Sequence, residues 1–322
     1  MDYRRIGREG PTVSALSLGS WNTYSRMTFE AGVALVRRAF DLGIDFLDVA
    51  YYRDKPHTEV LLGRILDVVG KPREEYAIAE KVWYFDYPRQ PLAEQLDESL
   101  VRLGTDYVDV IITEHPRPGM DVAAITEELA GLVTSGRARS WGALNWSAAD
   151  LRTAYDHAAA QGIPTPQLVQ LKYSVARRSV VDSAEYRKLF ADTGISLHAS
   201  DTMEGGILAG KLDSERKIGI DTGGIRERIK ELVPRLTEIA ASFDASPSQL
   251  ALAFCLAQPA TASVLFGSTR IAQIEDNVRA VELAGTRGAE IVAALAGLGV
   301  AGHENDAPYP HTERTLGEFV TV

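Results

Sequence analysis

The chain has 322 residues, 45% of them hydrophobic and 24% charged, an ordinary composition for a folded protein with a sizeable core. Its 44 acidic side chains outnumber its 34 basic ones, and the formal net charge is -10. This balance argues against nucleic acid or an anionic membrane surface as a main partner. It does not exclude an anionic cofactor, because local basic groups decide how such a cofactor binds.

The beginning of the chain carries no targeting pattern. Arg4 and Arg5 are not followed by an apolar run, so we expect no signal peptide. The longest apolar stretch, residues 291–302, is too short and too rich in Gly and Ala to span a bilayer. We therefore expect a cytoplasmic protein.

Short β-rich runs alternate with amphipathic helical segments. Most of these runs begin about every 30 residues, which is the size of a strand-plus-helix unit. Apolar positions at helical spacing predict helices over residues 29–42 and 92–103. The predicted strands cover residues 15–19, 45–50, 76–82, 109–115, 140–146, 168–174, 196–202 and 263–269.

The region near residue 250 contains a well-marked helix start and the only cysteine. Ser246, Pro247 and Gln249 form an N-cap, a first-turn proline and a capping-box partner. Cys255 lies in the apolar helical stretch that follows, so we expect a buried small hydrophobe rather than a reactive thiol. A lone cysteine excludes an intrachain disulfide and fits a reducing compartment.

Eight strands that alternate with helices predict a single (β/α)8 TIM barrel over residues 1–322. A doubly wound sheet is the competitor, but it would normally show a Gly-rich dinucleotide turn after an early strand, and the sequence has none. Residues 210–224 and the C-terminal loop 299–322 break the pattern. We expect both to fold over the barrel mouth.

Polar side chains gather at the predicted strand ends, where a barrel of this kind places its chemistry. Lys81 shares one strand face with Ala77 and Ala79. If that face points inward, Lys81 meets Asp48 near the barrel top, either as a functional pair or as a buried structural ion pair. The strand-end set is Asp48, Lys81, Glu114, His115, Asn145, Gln170, Lys172, Ser200 and Asp201.

Several motifs together resemble the aldo-keto reductases, nearest the branch that contains the voltage-gated potassium channel β subunits. Residues 3–21 resemble the N-terminal hairpin and first strand of that branch, and GIDFLDVA with TEVLLG resembles its signature around the catalytic Asp. LVRLGTDYVDVI, GGILAGKL and SVLFGSTRIAQIEDN resemble the helix-to-strand step and the two cofactor segments. The resemblance covers nearly the whole chain.

The resemblance implies NADP(H) bound in an extended pose across the barrel mouth. A strand that ends in Gly267, Ser268 and Thr269 just before a helix also suits phosphate binding. Arg270 is expected to clamp a 2′-phosphate, although a solvated surface charge is the alternative. The implied cofactor residues are Ser20, Trp21, Asn145, Gln170, Ser200, Gly205, Gly206, Lys211, Gly267, Ser268, Thr269, Arg270, Gln273 and Asn277.

The nicotinamide end departs from the family pattern. Asn145 and Gln170 match the groups that hold the carboxamide. Leu144 replaces the expected Ser, Lys172 replaces the expected Glu, and Ala199 stands where an aromatic residue usually stacks on the ring. The adenosine end therefore matches the family, while the reactive end differs.

The catalytic tetrad shows the same division. Asp48 and Lys81 occupy their family positions, but the tyrosine slot holds Arg53, which stays protonated and is no general acid. A one-residue slip of the loop would bring in Tyr52 instead. The histidine slot holds Glu114, as in steroid 5β-reductases, which reduce a C=C bond conjugated to a ketone. His115 is the alternative acid or base, or a packed strand-end residue.

Three functions stay open at this point. The first is an NADP(H)-dependent oxidoreductase that acts on a small carbonyl compound or conjugated enone. The second is a barrel enzyme of another class, such as a lyase, dehydratase or isomerase. An anionic or enolisable substrate would suit its polar set, which is Arg53, Lys81, Glu114, His115 and Lys172. The third is a non-catalytic NADP(H)-binding regulatory protein. A small-molecule substrate is the expected partner, no metal site is expected, and the sequence does not indicate an oligomeric state.

Overall fold

The computed structural model describes residues 1–21, 23–52, 57–214, 218 and 224–300. A hairpin of β1 (Tyr3–Arg5) and β2 (Thr12–Ser14) precedes a closed barrel of parallel strands in the order β10-β3-β4-β5-β6-β7-β8-β9. The barrel strands are β3 (Leu16–Gly19), β4 (Phe46–Asp48), β5 (Ala77–Val82), β6 (Val108–Glu114), β7 (Ala138–Leu144), β8 (Leu168–Lys172), β9 (Ser196–Ser200) and β10 (Thr261–Phe266). The predicted (β/α)8 barrel and its hairpin are confirmed.

Helices surround the barrel and separate its strands in the chain. The prediction for residues 29–42 is confirmed with the end one residue earlier, and that for residues 92–103 is confirmed in full. The helices are α1 (Phe29–Asp41), α2 (Thr58–Val69), α3 (Leu92–Leu103), α4 (Val122–Thr134), α5 (Ala148–Gln161), α6 (Ala184–Thr193), α7 (Ile225–Ser242), α8 (Pro247–Leu256), α9 (Ile271–Asn277) and α10 (Arg279–Ala294).

The barrel interior is packed with side chains that alternate along each strand. Phe46, Ala79, Val110 and Ile112 belong to one buried cluster that also contains Ile6 of the hairpin. Because successive strand residues point to opposite faces, Lys81 follows Ala79 toward the interior. The apolar interior therefore gives way to charged groups toward the carboxyl ends of the strands.

Several strands end earlier than the sequence predicts. The run predicted as residues 140–146 stops at Leu144, because Asn145 adopts a left-handed conformation with φ 55° that a strand does not continue. The run predicted as 196–202 stops at Ser200 for the same reason, since Asp201 has φ 54°. Asn145 and Asp201 therefore lie on the loops that rim the barrel.

The helix start near residue 246 is confirmed in detail. The Ser246 hydroxyl accepts from the Gln249 N–H, and the Gln249 side chain accepts from the Ser246 N–H. Cys255 is fully buried in α8, and burial raises its thiol pKa well above the usual value. The expectation of an inert, buried cysteine is thus supported by its position.

In the part of the chain described above, no single helix has the length and apolar character needed to cross a membrane. Among the described helices, only α7 and α8 taken together meet that test, and they are bent by 83° at the break between them. The predicted loop 210–224 is described only at residues 210–214, 218 and 224. Residues 301–322, expected over the barrel mouth, lie outside the described residues.

Candidate functional site

A buried ion pair stands where β4 and β5 reach the barrel mouth. The Lys81 Nζ lies 2.6 Å from each carboxylate oxygen of Asp48. The side chains are only 5% and 4% exposed. The predicted contact between Asp48 and Lys81 inside the barrel is therefore confirmed. Both side chains are buried by the surrounding protein.

Gln170 joins this pair to a second buried group across the barrel. Its Nε2 lies 2.8 Å from the Asp48 Oδ2 and 2.9 Å from the His198 Nδ1. An amide oxygen facing the carboxylate would be repulsive, so the nitrogen must face Asp48. Its second N–H then donates to His198. Both donors of the Gln170 amide are thus used inside the protein.

These contacts determine the protonation state and the tautomer of His198. Since Nδ1 accepts from Gln170, the ring is neutral and carries its proton on Nε2, which donates to the Ser17 Oγ at 2.7 Å. The His198 pKa is lowered to about 4, chiefly by complete burial; Asp48 opposes this shift and the nearby Lys81 charge adds to it. Lys81, Asp48, Gln170, His198 and Ser17 form one continuous polar chain, which we call the mouth relay.

Sequence reasoning missed two members of the mouth relay, His198 and Ser17. A signal for His198 was present, because it precedes Ser200 by two positions and so shares its strand face. Gln170 was expected to hold a nicotinamide carboxamide. In the structure its two N–H groups donate to Asp48 and His198 instead. The Gln170 Oε1 is then the atom that is able to accept a hydrogen bond from a ligand.

The two tyrosines that follow β4, Tyr51 and Tyr52, contact different residues. Tyr51 lies under Arg102 of α3, with the guanidinium carbon 4.3 Å from the ring centroid, and its carbonyl accepts from the Trp83 indole at 3.1 Å. Tyr52 instead packs against Trp21, with the ring centroids 6.0 Å apart. Tyr52 is thus the tyrosine beside a predicted cofactor residue. Arg53, the other candidate for the tyrosine slot, lies outside the described residues.

Glu114 ends β6 on the inward-facing side of that strand, two residues after Ile112. Its carboxylate accepts from the Tyr84 N–H at 2.7 Å and lies 3.9 Å from the Arg117 guanidinium. Burial raises the Glu114 pKa, although both of these contacts oppose the shift. His115 follows the strand and is half-buried. The neutral form of Glu114 is therefore more favoured than that of an exposed glutamate.

The nicotinamide-end positions are divided between the two faces of the barrel wall. Asn145 is held at the rim by its N–H, which donates to the Gln170 carbonyl at 2.9 Å. Lys172 pairs in register with Ser200 at the ends of β8 and β9. Ala199 packs in the outer hydrophobic core between barrel and helices, so its side chain does not face the mouth.

The predicted adenosine end is built on the turn between β10 and α9. The Thr269 N–H donates to the Gln273 Oε1 at 3.2 Å, and the Ser268 hydroxyl donates to the Arg270 carbonyl at 2.8 Å. Arg270 is exposed, and Asn277 is buried one turn after Gln273. The turn is therefore ordered by its own contacts and leaves the Arg270 guanidinium at the surface.

Three observations bear on whether the mouth suits a dinucleotide. The Ser20 Oγ, just after β3, is buried with no hydrogen-bond partner among the described residues. A Cβ added to Gly267 would meet no atom within 4 Å, so the backbone there is open to close approach. Gly205 and Gly206 adopt left-handed φ values of 67° and 103°, and Lys211 is exposed beside them. Hydroxyl, backbone and cationic groups of this kind fit a phosphorylated ligand.

A model described as the aldo/keto reductase family matches residues 15–293. The chain is 29% identical over 304 residues to a Schizosaccharomyces pombe protein named as a voltage-gated potassium channel subunit beta, covering 87% of this chain and 88% of that protein. A protein of the same designation from Oryza sativa subsp. japonica is 29% identical over 303 residues, covering 88% and 92%.

Solved structures give the same picture. A thermostable aldo-keto reductase in complex with the inhibitor epalrestat is 27% identical and superposes with a TM-score of 0.75, covering 93% of this chain and 100% of that one. A protein named as a 2,5-diketo-D-gluconic acid reductase B superposes with a TM-score of 0.73 and covers 96% and 98%. At 22% identity, the second likeness shows the fold alone.

Proposed function

Because this chain belongs to the aldo/keto reductase family, whose model spans residues 15–293, we propose that it is an NADP(H)-dependent oxidoreductase. Its substrate is a small carbonyl compound or a conjugated enone. The observation that carries the proposal is the buried contact of Lys81 with both oxygens of Asp48 at the barrel mouth. This pair is two members of the family tetrad, placed where barrel enzymes hold their chemistry.

When bound, the cofactor supplies a hydride to the electrophilic carbon of the substrate. The Lys81 ammonium, fixed by Asp48, is available to stabilise negative charge that develops on the substrate oxygen. Its burial strengthens that effect, since little water competes for the charge. The mouth relay keeps the carboxylate of Asp48 in place while this charge develops.

Glu114 supports the enone branch of the proposal. Burial raises its pKa, so a larger fraction of its carboxyl group is neutral near physiological pH than for an exposed Glu. A neutral carboxylic acid donates a hydrogen bond and polarises a carbonyl oxygen, which activates a conjugated C=C bond toward hydride addition. Tyr52 is the other proton donor that we propose, since it packs beside Trp21 at the mouth.

Three groups of residues would hold the dinucleotide. Ser268, Thr269 and Arg270 would take the adenosine phosphate, with Arg270 as the fork that selects a 2′-phosphate. Gly205, Gly206 and Lys211 would take the pyrophosphate. The Ser20 Oγ, which has no partner among the residues that the structure describes, and the Gln170 Oε1 are available to the nicotinamide half.

A non-catalytic, NADP(H)-binding regulatory role is the second candidate. The observation in its favour is the similarity, over 87% and 88% of this chain, to proteins named as potassium channel β subunits. The altered tyrosine and histidine slots, Arg53 and Glu114, agree with weakened turnover. Under this proposal the cofactor binds but is oxidised slowly or not at all.

The test is turnover with NADPH deuterated at the reactive nicotinamide carbon, on a panel of small aldehydes, ketones and conjugated enones. An oxidoreductase transfers the deuterium to the product carbon while NADPH is consumed in equal amount. Cofactor binding without transfer to any substrate would support the regulatory role. Product formation without NADPH consumption would contradict both and indicate a lyase, dehydratase or isomerase.

A further inference from the structure

A second buried ion pair lies beneath the loop that follows β9. The Arg177 Nε donates to the Glu204 Oε2 at 2.9 Å, and the Ser174 hydroxyl donates to the Glu204 Oε1 at 2.6 Å. Both charged side chains are 2% exposed. Burial raises the Glu204 pKa, while Arg177 and Ser174 oppose the shift. Both carboxylate oxygens of Glu204 are therefore held by the segment after β8.

Replacing a buried ion pair with apolar side chains is often neutral or stabilising, so stability alone does not account for this pair. Its place in the chain suggests another reason. Glu204 has a left-handed φ of 49°, which is strained for a residue with a side chain. Such a conformation persists only where neighbouring contacts enforce it, and Arg177 with Ser174 provides those contacts.

The strained residue begins the proposed phosphate loop, defined here as Glu204–Lys211. Gly205 and Gly206 follow with φ 67° and 103°, so three successive residues are left-handed. A Cβ on Gly206 would lie 3.1 Å from the Lys211 Cδ, which shows how closely the lysine stem packs on this backbone. The shape of the loop thus depends on the conformation in which Glu204 is anchored.

The direction of the Glu204 side chain also matters for charge. A carboxylate facing the mouth next to Gly205 would repel a phosphate. Here the carboxylate is turned inward and neutralised by Arg177, so the loop presents glycine backbone and the Lys211 ammonium instead. Both the geometry and the local potential of the loop then favour an anion.

We propose that Arg177 and Glu204 are positioning residues that set the phosphate loop in its anion-binding shape before ligand arrives, and that the ligand is the pyrophosphate of a dinucleotide. The identity of the ligand rests on the proposed function. The preset shape does not, because it depends only on contacts within the chain. Neither residue touches the ligand in this account.

The experiment compares wild type with two variants of the full chain. Glu204→Gly keeps the left-handed backbone without strain and removes the anchor. The double variant Arg177→Met/Glu204→Gln removes both charges without leaving a bare buried carboxylate and without adding a flexible glycine. Glu238→Gln, in the exposed pair of Glu238 with Arg235, is the matched control. Cooperative unfolding of each variant establishes that it is folded.

Two readouts are measured. Hydrogen exchange of amides 205–211 without cofactor reports the preset shape, and we expect exchange about tenfold faster in both test variants than in the control. Titration with NADPH and with adenosine 2′-monophosphate, which lacks both phosphates of the pyrophosphate, reports the ligand. We expect NADPH to bind about tenfold more weakly to the test variants, with little change for the monophosphate.

Unchanged exchange in both variants would overturn the inference whatever the binding data show. Equal losses for NADPH and the monophosphate would overturn the assignment of the loop to the pyrophosphate. If wild type binds neither ligand, the proposed cofactor is wrong. The exchange data then still decide whether the ion pair shapes the loop.

Discussion

Gln170 donates a 2.8 Å hydrogen bond to Asp48 across the barrel, although 122 positions separate the two residues in the chain. The Asp48 Oδ2 thereby accepts from both Gln170 and Lys81, while Oδ1 accepts from Lys81 alone among the described residues. The carboxylate has little freedom left to rotate. The position of the Lys81 ammonium is therefore set by residues on three strands, β4, β5 and β8.

Gln170→Glu is expected to lower kcat more than Gln170→Leu does. The isosteric glutamate places a second negative charge against Asp48 and competes for Lys81, whereas leucine only removes a hydrogen bond. We expect a loss of about tenfold for leucine and clearly more for glutamate. Steady-state kinetics on one substrate decide this, and equal rates for Gln170→Glu and wild type would contradict the described role.

Lys81→Met is expected to reduce kcat by a factor of about 100 to 1,000, because the developing oxyanion loses its buried cation. The single variant also leaves Asp48 buried and unpaired, at a cost of about 3–5 kcal/mol in unfolding free energy. Asp48→Asn/Lys81→Met removes that cost and should be equally inactive. Lys188→Met, at an exposed lysine, is the control. Full activity in the double variant would exclude a chemical role for the pair.

Acid is expected to destabilise the protein through His198. The pKa is about 4 in the folded protein and about 6.5 unfolded, so the unfolded chain binds the extra proton between these values. This contribution to stability is complete above pH 6.5 and is lost as the pH falls toward 4, by about 3 kcal/mol.

The variant His198→Gln does not titrate, so the comparison isolates this residue from the glutamates whose raised pKa values act in the opposite direction. Denaturant unfolding at pH 7 and pH 4 should show wild type losing about 3 kcal/mol more than the variant. Parallel losses in the two proteins would mean that His198 is charged or solvated in the folded state.

If the proposed enone reduction is correct, Glu114 is expected to give its rate a pH dependence. Its raised pKa means that the neutral, donating carboxyl is present at low pH and is lost as the pH rises through that value. We expect kcat on a conjugated enone to fall on the alkaline side in wild type. Glu114→Gln, which donates a hydrogen bond at every pH, should be less active but flat over the same range. A fall of equal steepness in both proteins would assign the pH dependence to another group.

The barrel could be predicted from sequence because each strand-plus-helix unit carries its own signal. Asp48 and Lys81 could be paired as well, since they end neighbouring strands on one face. His198 and Ser17 could not be joined to them by the same reasoning. They belong to β9 and β3, and only closure of the barrel brings their side chains to Gln170.

Contacts between loops could not be predicted from the sequence either. The Arg177–Glu204 pair joins two segments whose sequence shows no periodic pattern. The strand ends at Asn145 and Asp201 were also missed, because a left-handed residue at the rim has no hydrophobic signature. The strength of the sequence signal thus falls from the strands to the loops that carry the proposed ligand contacts.

The most direct test of the account is a calorimetric titration of the full chain with NADPH and with NADH. Arg270 is exposed at the turn after β10, and a charge-assisted fork to the 2′-phosphate is worth about 1.5–3 kcal/mol. We predict that NADPH binds at least about tenfold more tightly than NADH, and that Arg270→Leu removes the difference while Arg235→Leu preserves it. Binding of neither dinucleotide to the wild-type protein would contradict the proposal that this barrel is an NADP(H)-dependent oxidoreductase.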